Sequence, residues 1–196
     1  MTFLDPARST RRWTRRFPSL LVGGLLVAGA AIAPAFAYRS LASWSPGAAD
    51  GVVPDGTTVF DDDMGIANLD ADLLRALRRA ATDAADDGGI ELFVESGWRS
   101  PAYQEQLLRE ALARYGSEQE AARWVATPAT SPHVSGDAVD IGRSAAMAWL
   151  SEHGSAYGLC QIYGNEPWHY ELRPEAIDHG CPAMYADPTH DPRMQR

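Results

Sequence analysis

Lysine is absent from this chain of 196 residues; all 17 basic residues are arginines. That absence is compositional and assigns no function by itself. Positive charge is also scarce where a folded body would need it to meet nucleic acid. The first 37 residues hold five arginines and one acid, Asp5, so the remaining 12 arginines face 25 acidic residues and the rest of the chain carries about −13. A nucleic-acid partner is excluded on that balance, because phosphate binding needs a basic surface. The acidity reads as a soluble, self-repelling surface. Cysteine is nearly missing too: only Cys160 and Cys181 occur, with no C-x-x-C spacing, which argues against a cysteine-ligated metal. No internal repeat or heptad is visible. What is there is a chain with 45% hydrophobic residues, ordinary for a protein with a core, and a length that suits one domain plus tails.

The N-terminus has the three parts of an export signal. Arg11, Arg12, Arg15 and Arg16 form a basic start, Leu20 to Ala33 is apolar, and Pro34-Ala35-Phe36-Ala37 is an A-x-A cleavage pattern. Residues 1–37 are therefore expected to direct export, with cleavage after Ala37. The alternative is an uncleaved anchor, since the stretch from Leu20 to Ala37 is at the lower length limit for crossing a bilayer. Gly23, Gly24, Gly29 and Pro34 weaken it as a permanent span. Membrane contact is expected only through this segment. The arginine pairs also hint at the twin-arginine route. In an oxidising destination the two cysteines are expected to form a Cys160–Cys181 disulfide.

Residues 38–58, rich in Gly, Ala, Ser, Pro and Asp, read as a linker. The segment 69–85 has leucines and alanines at helical spacing, capped by Asn68 or Asp70 and stopped by Gly88-Gly89. Residues 90–95 alternate as a strand. Ser100-Pro101 opens a second helix, Ser117-x-x-Glu120 a third, and 144–157 form a fourth, ended by Gly158. Residues 138–141, 159–163 and 169–172 read as further strands. The tail 182–196, with its prolines and acids, looks peripheral. The pattern predicts an α+β domain over 59–181, a small antiparallel sheet with helices packed against it, acting as a monomer.

Three clusters carry candidate chemistry: Ser96-Gly97-Trp98-Arg99-Ser100, Ser131-Pro132-His133 running to Asp140, and Glu166-Pro167-Trp168-His169. Asp140 sits between Val139 and Ile141 in an apolar strand, where an ionised carboxylate is costly unless paired or bound to a metal. His133 precedes it across a turn containing Gly136, so the chain can fold back and bring the two together. With His169 they make three ligands of the hardness zinc takes, leaving a fourth position for water. Glu166 supplies a carboxylate to take a proton from that water. Arg99 beside such a site can stabilise developing negative charge. Taken singly, each cluster also admits a plain reading as surface or satisfied core residues. Trp98 and Trp168 read as packing residues, and His153, His179 and His190 match no motif.

SGWRS followed by Gln104, then SPHVSGDAVDIG, then EPWHYEL, in that order, resemble the D-alanyl-D-alanine carboxypeptidase family, the VanY-like enzymes of the peptidase M15 group. The resemblance spans about residues 69–172. It implies that His133, Asp140 and His169 hold Zn2+, that Glu166 is the general base, and that Arg99 steadies the scissile carbonyl as it becomes an oxyanion. It implies that Gln104 and Ser131 hydrogen-bond substrate. It implies the small α+β sheet shared with the Hedgehog signalling domain, and peptidoglycan stem peptides or their precursors as substrate. Two departures stand out. Tyr170 and Glu171 follow His169 where the family often has an aromatic residue and then arginine. Only Gly164 and Asn165 separate the strand at 159–163 from Glu166. The expected activity is hydrolysis of a terminal D-Ala–D-Ala bond. A related endopeptidase or D,D-dipeptidase is the near alternative; a non-catalytic zinc-stabilised binding module is the distant one, and it would have no need of Glu166.

Overall fold

Asp70 begins the architecture by capping a long helix: its side chain accepts from the backbone N–H groups of Asp72 and Leu73. The computed structural model describes residues Trp44–Gln195; the expected export signal lies outside the described residues. Along them run α1 (Met64–Ala67), α2 (Ala71–Gly88), β1 (Val94–Ser96), α3 (Pro101–Tyr115), α4 (Glu118–Ala121), α5 (Pro132–Ser135), β2 (Ala138–Ile141), α6 (Ser144–His153), β3 (Leu159–Gln161), β4 (His169–Leu172) and α7 (Ala176–His179). Among the described residues no helix is long and apolar enough to cross a membrane.

The strands form one antiparallel sheet in the order β1-β2-β4-β3. This is the small antiparallel sheet of an α+β domain that the sequence predicts. Side chains alternate across it. Val139, Ile141 and Tyr170 enter a core with Leu73, Leu77, Ala80 and Ala84 of α2 and Trp149 and Leu150 of α6. Burying each of these leucines contributes roughly 1.5–3 kcal/mol. The opposite face carries Asp140, His169 and Glu171. Register places Ser96 opposite Asp140 and Asp140 opposite His169, so one row across three strands ends up beside the cleft.

Several expected boundaries shift. The strand expected at 90–95 pairs in the sheet only from Val94, because Phe93 bridges Thr58 instead. The third helix is a single turn, and the fourth is α-helical only to His153 and continues as a 3-10 turn to Tyr157. Two expectations about the ends need correction. The part of the 38–58 linker that is described packs onto the domain: Asp50 accepts from the Ser100 backbone at 2.8 Å and from its hydroxyl at 2.9 Å, and the Val94 N–H donates to Thr57. The tail is not peripheral. Tyr185 pairs with Tyr163, Asp187 meets Arg123 at 2.9 Å, Asp191 reaches the buried Tyr163, and Arg193 reaches the buried Glu171 of β4. Residues 185–195 form a strap over the β3–β4 end of the domain. The expected disulfide is present, joining Cys160 of β3 to Cys181, where the strap's approach begins.

Candidate active site

Two glycines let three separate segments converge. A Cβ on Gly97 would lie 2.1 Å from the Gly65 carbonyl oxygen, so only glycine lets the loop after β1 press against α1. Gly136 takes φ +85°, and a Cβ there would lie 2.5 Å from the Asn68 oxygen; this is the turn that folds His133 back toward Asp140. Pro132 opens the one-turn α5 on which His133 stands.

The sequence-predicted residues meet. Ligand atoms of His133, Asp140 and His169 all lie within 4.8 Å of one another, and all three side chains are buried. His133 Nε2 and His169 Nδ1 stand 3.3 and 3.2 Å from Asp140 Oδ1. Tetrahedral ligation at about 2.0–2.1 Å separates neighbouring ligand atoms by roughly 3.3 Å, so the donor set and its spacing fit zinc. The far ring nitrogens are anchored too. His133 Nδ1 is 2.8 Å from the Gly97 carbonyl oxygen, and His169 Nε2 is 3.2 Å from Glu171 Oε1. Such partners set which nitrogen faces a metal.

Electrostatics follow from the burial. Burial, reinforced by Arg99, lowers His133 below its ordinary value. Asp140 is held well below the carboxylate range: burial opposes ionisation, but His133, His169 and Arg99 outweigh it. His169 is driven up to about 9, since its hydrogen bonds to Asp140 and Glu171 overcome burial. Glu166 is pushed up to about 7, chiefly by burial. Its Oε2 lies 4.0 Å from His169 Nδ1, while Oε1 is buried with no hydrogen-bond partner.

Arg99 is held firmly. It donates to Ser96 at 2.7 Å, to Gln104 at 3.3 Å and to Asp140 Oδ2 at 2.7 Å, which leaves two of its five N–H donors uncommitted. Gln104, expected to bind substrate, has both ends of its amide engaged: Oε1 with Arg99, and Nε2 donating to the Ala126 carbonyl at 2.9 Å. In this structure its work is to hold Arg99. Ser131 lines the cleft and its side chain makes no capping hydrogen bond. Trp98 packs as expected, donating to Val134 O. Trp168 departs from the packing expectation, being 37% exposed on the cleft wall. His153, His179 and His190 stand outside the metal-capable group.

Sequence reasoning missed Tyr163, whose ring lies 5.1 Å from that of His169, and the cleft contributions of Trp124, Pro188 and Met194. It also missed what Glu171 does. Completely buried, Glu171 accepts from Arg173 at 2.6 Å and from Arg193 at 2.7 and 3.2 Å, besides its contact with His169. Its departure from the family pattern was the one available signal; its distant partner Arg193 left none.

Comparison with known proteins gives concordant results. Residues 67–175 match the VanY family model, described as D-alanyl-D-alanine carboxypeptidase. A D-alanyl-D-alanine carboxypeptidase of Enterococcus faecalis (strain ATCC 700802 / V583) is 33% identical over 113 residues, 45% of this chain and 42% of the relative. The chain thus spans less than half the length of that curated relative. Among solved structures, VanYB in complex with D-alanine-D-alanine is 28% identical with a TM-score of 0.50, covering 57% of this chain and 74% of that one. The LdcB LD-carboxypeptidase is 26% identical with a TM-score of 0.51, covering 68% and 72%.

Proposed function

Since this chain belongs to the VanY family of D-alanyl-D-alanine carboxypeptidases, we propose that it is a zinc-dependent D,D-carboxypeptidase that removes the terminal D-alanine from peptidoglycan stem peptides or their precursors. The observation that carries the reading is the orphaned Glu166 Oε1, buried beside three converging metal-ligand atoms. A purely structural metal site has no use for it. His133 Nε2, Asp140 Oδ1 and His169 Nδ1 would hold the ion, which when bound supplies Lewis acidity and acidifies a water.

The chain's own groups do the remaining work. Glu166 takes the proton from the attacking water and returns it to the leaving amine. Burial pushes this carboxylate up to about 7 in the metal-free protein, and a bound cation would draw it down, favouring the ionised base. Arg99, pinned by Ser96 and Gln104, keeps two N–H donors available for the oxygen on which negative charge develops. By holding Asp140 Oδ2 it also leaves Oδ1 directed at the histidines. Ser131 and Trp168 border the peptide path. Export, with or without removal of the N-terminal segment, brings the enzyme to its substrate.

Incubating the purified protein with a muramyl pentapeptide ending in D-Ala–D-Ala tests the proposal. Release of one D-alanine, abolished by chelation and restored by zinc, is the expected result. Cleavage of a tetrapeptide, of the free D-Ala–D-Ala dipeptide, or of an internal cross-link, with the pentapeptide left intact, would move the protein to a neighbouring peptidase activity. No cleavage of any of them by zinc-loaded protein would remove the catalytic reading.

A further inference from the structure

The imidazole of His169 offers two nitrogens, and only one can face a metal. Which one does so depends on what receives the N–H of the other. Here Nδ1 points to Asp140 and Nε2 to Glu171, each at 3.2 Å. Glu171 is completely buried, so its carboxylate stays in place only while cations and donors surround it. Arg173, from the end of its own strand, makes one contact at 2.6 Å. The other cation comes from the far end of the chain: Arg193 bridges both carboxylate oxygens, Nη1 to Oε2 at 2.7 Å and Nη2 to Oε1 at 3.2 Å. Planar two-point contact of this kind fixes a carboxylate's rotation as well as its charge.

Arg193 is itself gripped. Asp191, fully buried, accepts from its Nε at 3.0 Å and from Nη2. Asp191 also accepts from the Tyr163 hydroxyl at 3.0 Å, and the Tyr163 ring packs against His169. The strap therefore closes a ring of contacts around one histidine. The strap lies beyond residues 67–175, the span of the family match.

We propose that Arg193 is a positioning residue for metal binding: from the strap it holds Glu171 as the acceptor for His169 Nε2–H, and so keeps His169 Nδ1 aimed at Asp140 and the metal. The inference rests on the zinc reading of the site. Loss of such an outer partner typically weakens metal affinity about 10–100-fold.

The test is a zinc competition titration against a chromophoric chelator, made on folded wild-type, Arg193→Gln, Arg193→Lys and Arg123→Gln proteins. Arg123→Gln removes an ion pair that joins the strap to the rest of the domain, with Asp187, and serves as the control for strap docking. Arg193→Gln is expected to lose about 10–100-fold in affinity, with Arg193→Lys intermediate and Arg123→Gln within about twofold of wild type. The kcat of the glutamine variant at limiting zinc should fall, and recover at saturating zinc with KM unchanged. Wild-type affinity in folded Arg193→Gln overturns the proposal, and so does an equal loss in Arg123→Gln, which would make the strap's docking the cause. Should Arg193→Gln fail to fold, Arg193→Lys carries the test. Its single ammonium cannot make both contacts, so undiminished affinity there is equally fatal. Absence of zinc binding by the wild type would instead refute the metal site itself.

Discussion

Gly97→Ala is the smallest substitution that should damage the site without touching a functional side chain. The added Cβ would lie 2.1 Å from the Gly65 carbonyl oxygen, 3.0 Å from its carbon and 3.5 Å from Leu69. Ordinary contact starts near 3.4 Å, so the loop and α1 must part by about 1 Å, and the obstacle is backbone rather than a side chain that can rotate. Forcing volume into such a place costs roughly 1–3 kcal/mol. At about 2–4 °C per kcal/mol for a domain of this size, the melting temperature should fall by roughly 2–12 °C. The displacement also travels. The Gly97 carbonyl receives His133 Nδ1 at 2.8 Å, and the Trp98 N–H donates to Gly65 O at 2.8 Å, just before Arg99. A shift near 1 Å at the groups that position catalysis can cost about 100-fold in rate. Differential scanning calorimetry, zinc content and kcat/KM measured on the same preparation check the chain of reasoning. A variant melting within a degree of wild type with unchanged kcat/KM would show that the close approach is not a constraint. A melting drop with unaltered turnover would break the link from Gly97 to His133 and Arg99.

Four further outcomes are expected. Glu166→Gln should retain zinc while turnover falls by a factor of about 10²–10⁴, whereas His169→Ala should lose zinc; the reverse pattern in metal content would mean that ligand and base are exchanged. In metal-stripped protein, His169 titrates at about 9 against an ordinary 6.5. Its contribution is therefore complete below pH 6.5 and lost as pH rises through 9, on the order of 3 kcal/mol, and a thermal stability flat across pH 6.5–9 would contradict it. Replacing Cys160 and Cys181 by serine should cost about 3 kcal/mol on the loop-entropy argument, read as a shift in the urea midpoint, with no shift if the bond constrains nothing. Exported protein should begin at Tyr38, so N-terminal sequencing that returns Met1 on membrane-associated protein would favour an anchor.

Local chemistry made much of this legible in advance. Ser100-Pro101, Ser117 and Asp70 mark helix starts because capping is satisfied within three residues, and each performs that capping here. β2 shows as a short apolar run interrupted by Asp140, and β4 as an alternation whose polar positions, His169 and Glu171, fall on the face of the candidate site. Strand ends were less legible. Where β1 starts depends on Thr58, some 35 residues earlier in the chain, taking up Phe93. The two ends of the domain were misread for a related reason. Residues 44–58 are rich in Gly, Pro and Asp and residues 182–195 in Pro and Asp, and such composition looks like linker unless the partners of its polar groups are known. Those partners, Ser100 for Asp50 and Glu171 for Arg193, sit on other elements.

By itself, then, the sequence determined the identities and order of the candidate groups: two histidines, an aspartate and a glutamate in spacings that turn and strand periodicity can bring to one face. Periods of 2 and 3.6 and local caps are near-neighbour physics, and they are written in adjacent letters. Only the tertiary structure decided which nitrogen of each histidine faces inward, that Gln104 spends its amide on Arg99, and that a buried Glu171 is balanced from 22 residues away by Arg193. Those outcomes depend on desolvation and on charge brought together across the fold. A buried carboxylate must find its compensation wherever the folded chain supplies it, and no spacing rule records where that is.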